Sequence, residues 1–125
     1  LAGRRIVVVE DVASTRRALT AVLKGAGADV VAVDSAAAAW PEIEQSRPDL
    51  ILSDLGLPAT DGFALIQQVR ATERMRDVAP VPAVALTAFA GEGIEQKARE
   101  SGFQLCLAKP IQPLRLVKTV ASLLK

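Results

Sequence analysis

The chain has 125 residues, half of them hydrophobic, which is enough for one domain with a substantial core. Its 15 basic and 14 acidic residues nearly balance, and no basic stripe with interleaved aromatics is present, so direct nucleic-acid binding is not expected. The absence of histidine excludes Ser-His-Asp and Cys-His catalysis and argues against zinc chemistry.

The sequence also bounds the expected location of the chain. No apolar stretch approaches the roughly 20 residues that a membrane helix needs, so we expect no membrane contact by this segment. The single cysteine, Cys106, cannot form an internal disulfide, which is typical of a reducing cytoplasm. Because the chain starts at Leu1, we expect a segment cut from a longer protein or a processed start.

Short apolar strands alternate with helical patterns along the whole chain, which is typical of βαβ units around a parallel sheet. We predict strands near 4–9, 29–33, 49–54, 82–87 and 104–108. We predict helices near 14–25, 35–46, 62–72, 92–101 and 113–124. The sequence therefore predicts a single α/β domain over 1–125.

Several elements carry more specific expectations. Pro41 predicts a kink in the second helix or a late start of that helix. Residues 73–81 are predicted to form a surface loop, and the fourth helix has few apolar anchors beyond Ile94 and Ala98. In the last helix, helical spacing predicts a buried stripe. Its members are Leu114, Val117, Val120 and Leu124. Leu116 and Leu123 fall off that stripe and would offer an apolar surface to a partner or a second copy.

Polar side chains close four of the predicted strands. Glu10 and Asp11 follow the first strand, Asp54 ends the third, Thr87 ends the fourth and Lys109 follows the fifth. Because the carboxyl ends of parallel strands share one edge of the sheet, these residues should share one crevice. Carboxylates suit a hard divalent cation, and an ammonium and a hydroxyl suit a phosphoryl group. Asp54 itself would accept a phosphoryl group as an acyl phosphate.

Each residue also has a simpler interpretation. Glu10 and Asp11 would suit a helix N-terminus, where the dipole favours acids. Thr87 would be an ordinary strand residue, Lys109 a solvated lysine, and Cys106 a small buried hydrophobe rather than a redox sensor. The conjunction of the polar residues at four strand ends favours the shared site.

Four motifs resemble the receiver domains of two-component response regulators. They are the pair Glu10–Asp11, the segment Asp54–Gly62 with Leu55–Gly56–Leu57–Pro58 and Asp61–Gly62, the pair Thr87–Ala88, and the pair Lys109–Pro110. The resemblance covers the whole chain. It implies a flavodoxin-like (βα)5 doubly wound fold with a five-stranded parallel sheet in the order 2-1-3-4-5. It also implies a cis Lys109–Pro110 bond.

The resemblance further implies a metal site and a phosphoacceptor. Mg2+ (or Mn2+) would be held by Glu10, Asp11, Asp54 and the main-chain carbonyl of Gly56, and Thr87 and Lys109 would contact the aspartyl phosphate. One position departs from the family, since Cys106 stands where receivers usually have a tyrosine or phenylalanine that swings with the threonine. We therefore expect the switch to involve Thr87 and its loop, with Phe89 as a candidate substitute for the missing ring.

We expect this domain to take a phosphoryl group onto Asp54 from the phosphohistidine of a histidine kinase or a histidine phosphotransfer domain. It would catalyse its own phosphorylation and dephosphorylation without being a conventional enzyme. The predicted docking surface consists of Val12, Ser14, Thr15, Ala18, Pro110 and Ile111. Residues 87–113 also resemble receivers fused to hybrid sensor histidine kinases, so a fused kinase module is a further candidate partner. A homodimer, formed through the apolar surface of the last helix, is another.

Three alternatives remain open. A pseudo-receiver would signal by contact alone, without phosphorylation. A cofactor module of the same topology ranks lower because the loop Val12 to Thr15 lacks the glycines of a phosphate cradle. An aspartyl phosphatase should end its first strand in Asp-x-Asp, which Glu10–Asp11 does not match.

Overall fold

The architecture is taken from a computed structural model that describes residues 1–89 and 91–124. The strands are β1 (Arg5–Val9), β2 (Asp29–Val33), β3 (Leu50–Asp54), β4 (Ala83–Thr87) and β5 (Leu105–Ala108). The helices are α1 (Ala13–Gly25), α2 (Ala36–Ser46), α3 (Gly62–Arg76), α4 (Glu92–Ser101) and α5 (Pro113–Leu123). The predicted alternation of strands and helices is confirmed.

All four strand pairings are parallel, and the sheet order is β2-β1-β3-β4-β5. The predicted flavodoxin-like topology is therefore confirmed. Central strands β3 and β4 are buried along their whole length, whereas β5 at the edge is partly exposed. The apolar run Leu105–Ala108 by itself suggests a fully buried strand, but β5 lies at the edge of the sheet, where a strand is covered less completely than a central one.

Alternate residues of the central strands pack against helices on opposite faces of the sheet. Val7, Ile51 and Ala85 belong to the core on the side of α2, α3 and α4. Val8, Leu52 and Leu86 belong to the core on the side of α1 and α5. Because β1, β3 and β4 are packed from both sides, their carboxyl ends are held rigidly at one edge of the sheet.

Helix ends follow the local sequence. Ser35 and Asp61 cap α2 and α3 by accepting hydrogen bonds from Ala38 N and Ala64 N, at 3.1 and 2.8 Å. After α1, Gly27 adopts a φ of +99°, a conformation that glycine takes without strain. The expected late start of α2 is wrong, since the helix begins at Ala36 and contains Pro41.

Two further expectations are corrected. The predicted loop 73–81 is wrong at its start because α3 continues to Arg76, where the Arg76 guanidinium pairs with Glu44 at 2.7 Å. The predicted stripe of α5 is wrong in part: Val120 is buried as predicted, but Leu114 is 67% exposed and Leu116 is fully buried. Leu123 is also partly buried, against the same core as Leu116. Leu116 therefore belongs to the core and offers no surface to a partner. Lys109–Pro110 is a cis peptide bond.

Candidate functional site

Three carboxylates meet at the carboxyl edge of the sheet. One carboxylate oxygen from each of Glu10, Asp11 and Asp54 lies within 4.8 Å of the other two. Glu10 is fully buried and Asp54 is 7% exposed, whereas Asp11 faces solvent. Such crowding of like charges is unfavourable without a cation. The oxygen donor set fits Mg2+, which prefers carboxylates and retains some water.

Lys109 provides a cation inside this cluster. Its Nζ donates to Oε1 of Glu10 and lies 3.2 Å from Oδ2 of Asp54. The other Asp54 oxygen, Oδ1, accepts a hydrogen bond from the main-chain N–H of Gly56 at 3.2 Å. The Asp54 carboxylate is therefore oriented from both sides, by the loop that follows β3 and by the loop that follows β5.

Burial and neighbouring charges shift the pKa values of Glu10 and Lys109. Burial raises the pKa of the Glu10 carboxyl above its ordinary value, although hydrogen bonds from Lys109 and from Val12 N–H offset part of the rise. Burial alone would lower the pKa of Lys109, but the hydrogen bond to Glu10 and the charge of Asp54 outweigh it and raise that pKa. Lys109 thus stays protonated at neutral pH beside Asp54.

Thr87 ends β4 and is 6% exposed. Its Oγ1 accepts a hydrogen bond from the N–H of Phe89 at 3.1 Å. One acceptor site of the hydroxyl is thereby used, and among the described residues this hydroxyl donates to no partner. The main chain of Thr87 also accepts a hydrogen bond from Lys109 N at 2.8 Å, which ties the two strand ends together.

The other two predicted switch residues are placed differently. The Phe89 side chain is 81% exposed, so its ring lies in solvent. Cys106 is half-buried against the core beneath α4, and burial, followed by the charge of Glu95, raises the pKa of its thiol. A protonated thiol in this setting is a poor nucleophile and a poor redox sensor.

The predicted docking residues largely line one groove of about 570 Å3 between α1 and the loop that enters α5. Ser14, Thr15 and Ala18 form its α1 side, and Pro110 and Ile111 face them. Lys109 reaches the same groove, which therefore adjoins the Asp54 site. Val12 does not line the groove, but it is 48% exposed at the start of α1.

Sequence reasoning did not name Arg16 and gave Gly62 no role beyond its place in a motif, yet both residues shape the site. Arg16 donates from Nη1 to the main-chain carbonyls of Glu10 and Asp11 at 2.9 and 3.4 Å. Gly62 packs so closely under β3 that any side chain would collide with the main chain of Asp54. An arginine in the first turn of a helix, where the dipole disfavours cations, was the signal that could have identified Arg16.

Comparisons with known proteins agree on one family. Residues 6–121 match the family described as Response regulator receiver domain. An uncharacterised 14.6 kDa protein of Leptolyngbya boryana is 40% identical over 96% of this chain and 89% of its own length. Sensor protein GacS of Pseudomonas syringae pv. syringae is 34% identical over 93% of this chain, which spans only 13% of GacS.

A solved structure adds information on the metal. The receiver domain of a sensor histidine kinase from Pseudomonas aeruginosa PAO1 is 32% identical, covers 98% of both chains and superposes with a TM-score of 0.86. That structure has a magnesium ion coordinated in its active-site cleft.

In the part of the present chain that is described, no helix is long and apolar enough to cross a membrane.

Proposed function

The chain belongs to the response-regulator receiver domain family of two-component signalling, and from that membership we propose that Asp54 accepts a phosphoryl group from a partner's phosphohistidine. One observation carries the proposal. Asp54 is a nearly buried carboxylate held between the Gly56 N–H and the Lys109 ammonium, within 4.8 Å of two further carboxylates. A carboxylate fixed in this way is an oriented nucleophile.

In the transfer step, an oxygen of Asp54 attacks phosphorus as the bond from phosphorus to the donor imidazole nitrogen breaks. The imidazole leaves with the bonding electron pair and takes up a proton from solvent. Lys109, already 3.2 Å from Asp54, stabilises negative charge on the phosphoryl oxygens. The Thr87 hydroxyl, whose oxygen accepts from Phe89 N–H, donates its own hydrogen bond to one of those oxygens.

Glu10, Asp11, Asp54 and the main-chain carbonyl of Gly56 would hold Mg2+ (or Mn2+). When bound, the cation supplies positive charge that offsets the crowded carboxylates and the phosphoryl oxygens. The donor set and the magnesium ion in the P. aeruginosa receiver support this assignment.

The donor would dock over the groove formed by Ser14, Thr15, Ala18, Pro110 and Ile111, with Val12 at its margin. This groove supports the proposal because Lys109, whose ammonium lies 3.2 Å from Asp54, is one of its lining residues. Similarity to a sensor histidine kinase receiver and to GacS supports a hybrid kinase as a parent architecture. A cytoplasmic location would follow from such a role.

The proposal is tested by incubating the purified chain with acetyl phosphate and Mg2+ and measuring intact mass. We expect the gain of one phosphoryl group, abolished by EDTA and by Asp54→Asn. Asp34→Asn is the matched control, because Asp34 is an exposed aspartate that follows β2 at the same edge of the sheet. A folded wild-type protein that takes up no phosphate would support the pseudo-receiver instead. Labelling of Asp54→Asn at the wild-type rate would exclude Asp54 as the acceptor.

A further inference from the structure

Arg16 stands where local helix physics disfavours it. Helix α1 starts at Ala13, so Arg16 is within its first turn, where the helix dipole repels a cation. Among the described residues, α1 also has no side-chain cap at Val12 and no acidic residue in that turn. A residue that violates a local preference in this way usually serves a site.

The contacts of Arg16 show what offsets this cost. Its Nη1 donates at 2.9 Å to the carbonyl oxygen of Glu10 and reaches the carbonyl oxygen of Asp11 at 3.4 Å. These are consecutive peptide units, and they carry two of the three clustered carboxylates. Both contacts come from the single nitrogen Nη1. Because a lysine side chain is one atom shorter than an arginine side chain, its ammonium would not reach both oxygens from the same main-chain position.

The turn is fixed from its other side by different bonds. Glu10 N–H donates to the carbonyl of Val33 at 3.0 Å, and Val12 N–H donates to Oε2 of Glu10 at 3.3 Å. Arg16 thus holds the carbonyl side of the turn between β1 and α1, while these bonds hold the amide side. Asp11 is exposed, so the direction of its carboxylate depends chiefly on the main chain that Arg16 holds.

We propose that Arg16 is a positioning residue for the divalent cation: it fixes the main chain of Glu10 and Asp11 so that both carboxylates converge with Asp54. This inference rests on the metal-dependent part of the proposed function. Residues that orient metal ligands typically change affinity by about tenfold or more when replaced. Positioning predicts that replacing Arg16 weakens cation binding, whereas charge alone predicts that removing the guanidinium strengthens it, because the guanidinium is itself a cation beside the metal site.

The test is direct titration of Mg2+ by calorimetry, repeated with Mn2+ by electron paramagnetic resonance, on wild type, Arg16→Lys and Arg16→Gln. Arg17→Gln is the matched control, because Arg17 is the exposed next residue of the same helix. We expect Arg16→Lys to weaken Mg2+ binding, with a Kd about tenfold higher than that of wild type. We expect Arg16→Gln to weaken Mg2+ binding less, since removing a positive charge beside the site favours the cation and offsets part of the loss caused by the misplaced carboxylates. Arg17→Gln should bind as wild type does.

Urea midpoints in EDTA show whether each variant is folded, and only folded variants are compared. If Arg16→Lys binds like wild type while Arg16→Gln binds more tightly, the role is purely electrostatic and the inference is overturned. Lower stability in EDTA with an unchanged Kd would show a structural role only, with the same consequence. A wild-type protein that binds no divalent cation would refute the metal part of the proposed function as well. If wild type binds and the variants match it, only the inference fails.

Discussion

A Cβ atom at Gly62 would lie 2.3 Å from the main-chain carbonyl oxygen of Asp54 and 2.9 Å from the Cα atom of Leu55. Real side chains do not approach a backbone so closely. The first residue of α3 therefore packs directly under the end of β3, and the position of Asp54 depends on the absence of a side chain there.

Gly62→Ala should displace the end of β3, lower stability by about 1–3 kcal/mol through overpacking, and slow phosphorylation of Asp54. Gly93→Ala is the matched control, because Gly93 also lies in the first turn of a helix and its added Cβ would meet open space. Urea midpoints and acetyl phosphate labelling rates would measure both effects. Equal behaviour of the two variants would contradict the close packing.

Asp54→Ala should stabilise the protein in EDTA. The substitution removes one of three carboxylates that lie within 4.8 Å of each other, where like charges repel by about 1 kcal/mol in water and by more at lower dielectric. Lys109 loses one partner but keeps Glu10, which limits the opposing loss. The urea midpoint in EDTA should rise, and a fall would contradict the shared cluster. With saturating Mg2+ the difference should shrink or reverse.

Cys106 should be slow to alkylate near neutral pH. Burial and the charge of Glu95 raise the pKa of the thiol, while Arg99 opposes this. Because only the thiolate reacts, the alkylation rate should keep rising with pH beyond the midpoint of a free cysteine, at about 8.5. Glu95→Gln should move the midpoint down and Arg99→Gln should move it up, as measured by iodoacetamide rates across pH. A midpoint below that of free cysteine would contradict the assignment.

The same shift has a consequence for stability. A thiol whose pKa is raised by folding binds its proton more tightly in the native state. Its contribution to stability is therefore complete below the pKa of the unfolded chain and is lost as pH rises through the folded pKa. The urea midpoint of the wild type should therefore fall as pH rises above pH 8, and Cys106→Ser should remove that part of the fall.

Beryllofluoride, which mimics the phosphoryl group, should shift amide resonances most strongly in residues 87–101, with little change at Cys106. Thr87 is tied to Phe89 N–H, and α4 buries only Ala98 and Ser101 among its described residues, so this segment follows Thr87 with little resistance. Ala90 belongs to this segment but lies outside the described residues. Amide spectra with and without the mimic provide the measurement. Remote changes centred on Cys106, or an unchanged 87–101, would refute the prediction.

Ala18→Arg should slow transfer from a phosphohistidine donor while sparing transfer from acetyl phosphate, because Ala18 lines the groove beside Lys109. Ala21→Arg tests the same change at an exposed position of α1 that does not line this groove, and it should spare both reactions. A purified histidine phosphotransfer domain labelled on its histidine would serve as the donor. Equal losses with both donors would indicate a folding defect rather than a docking surface.

The sequence alone located the strand ends and the polar residues that follow them. Buried parallel strands appear as short apolar runs, and the first polar residue after each run must lie at the carboxyl edge of the sheet. That rule was enough to predict, without any knowledge of tertiary contacts, that one edge of the sheet carries Glu10, Asp11, Asp54, Thr87 and Lys109.

The tertiary structure decided what periodicity left open. Helix α5 has apolar residues around much of its circumference, so spacing alone could not select Leu116 over Leu114 as the buried residue. Helix α3 extends to Arg76, whose guanidinium contacts Glu44 of a different helix, a contact that no local pattern predicts. The roles of Arg16 and Gly62 depend on main-chain oxygens of Glu10, Asp11 and Asp54, which carry no signal in a sequence because every residue has the same carbonyl. Local pattern thus determined which residues reach the site, and packing between elements determined how firmly they are held there.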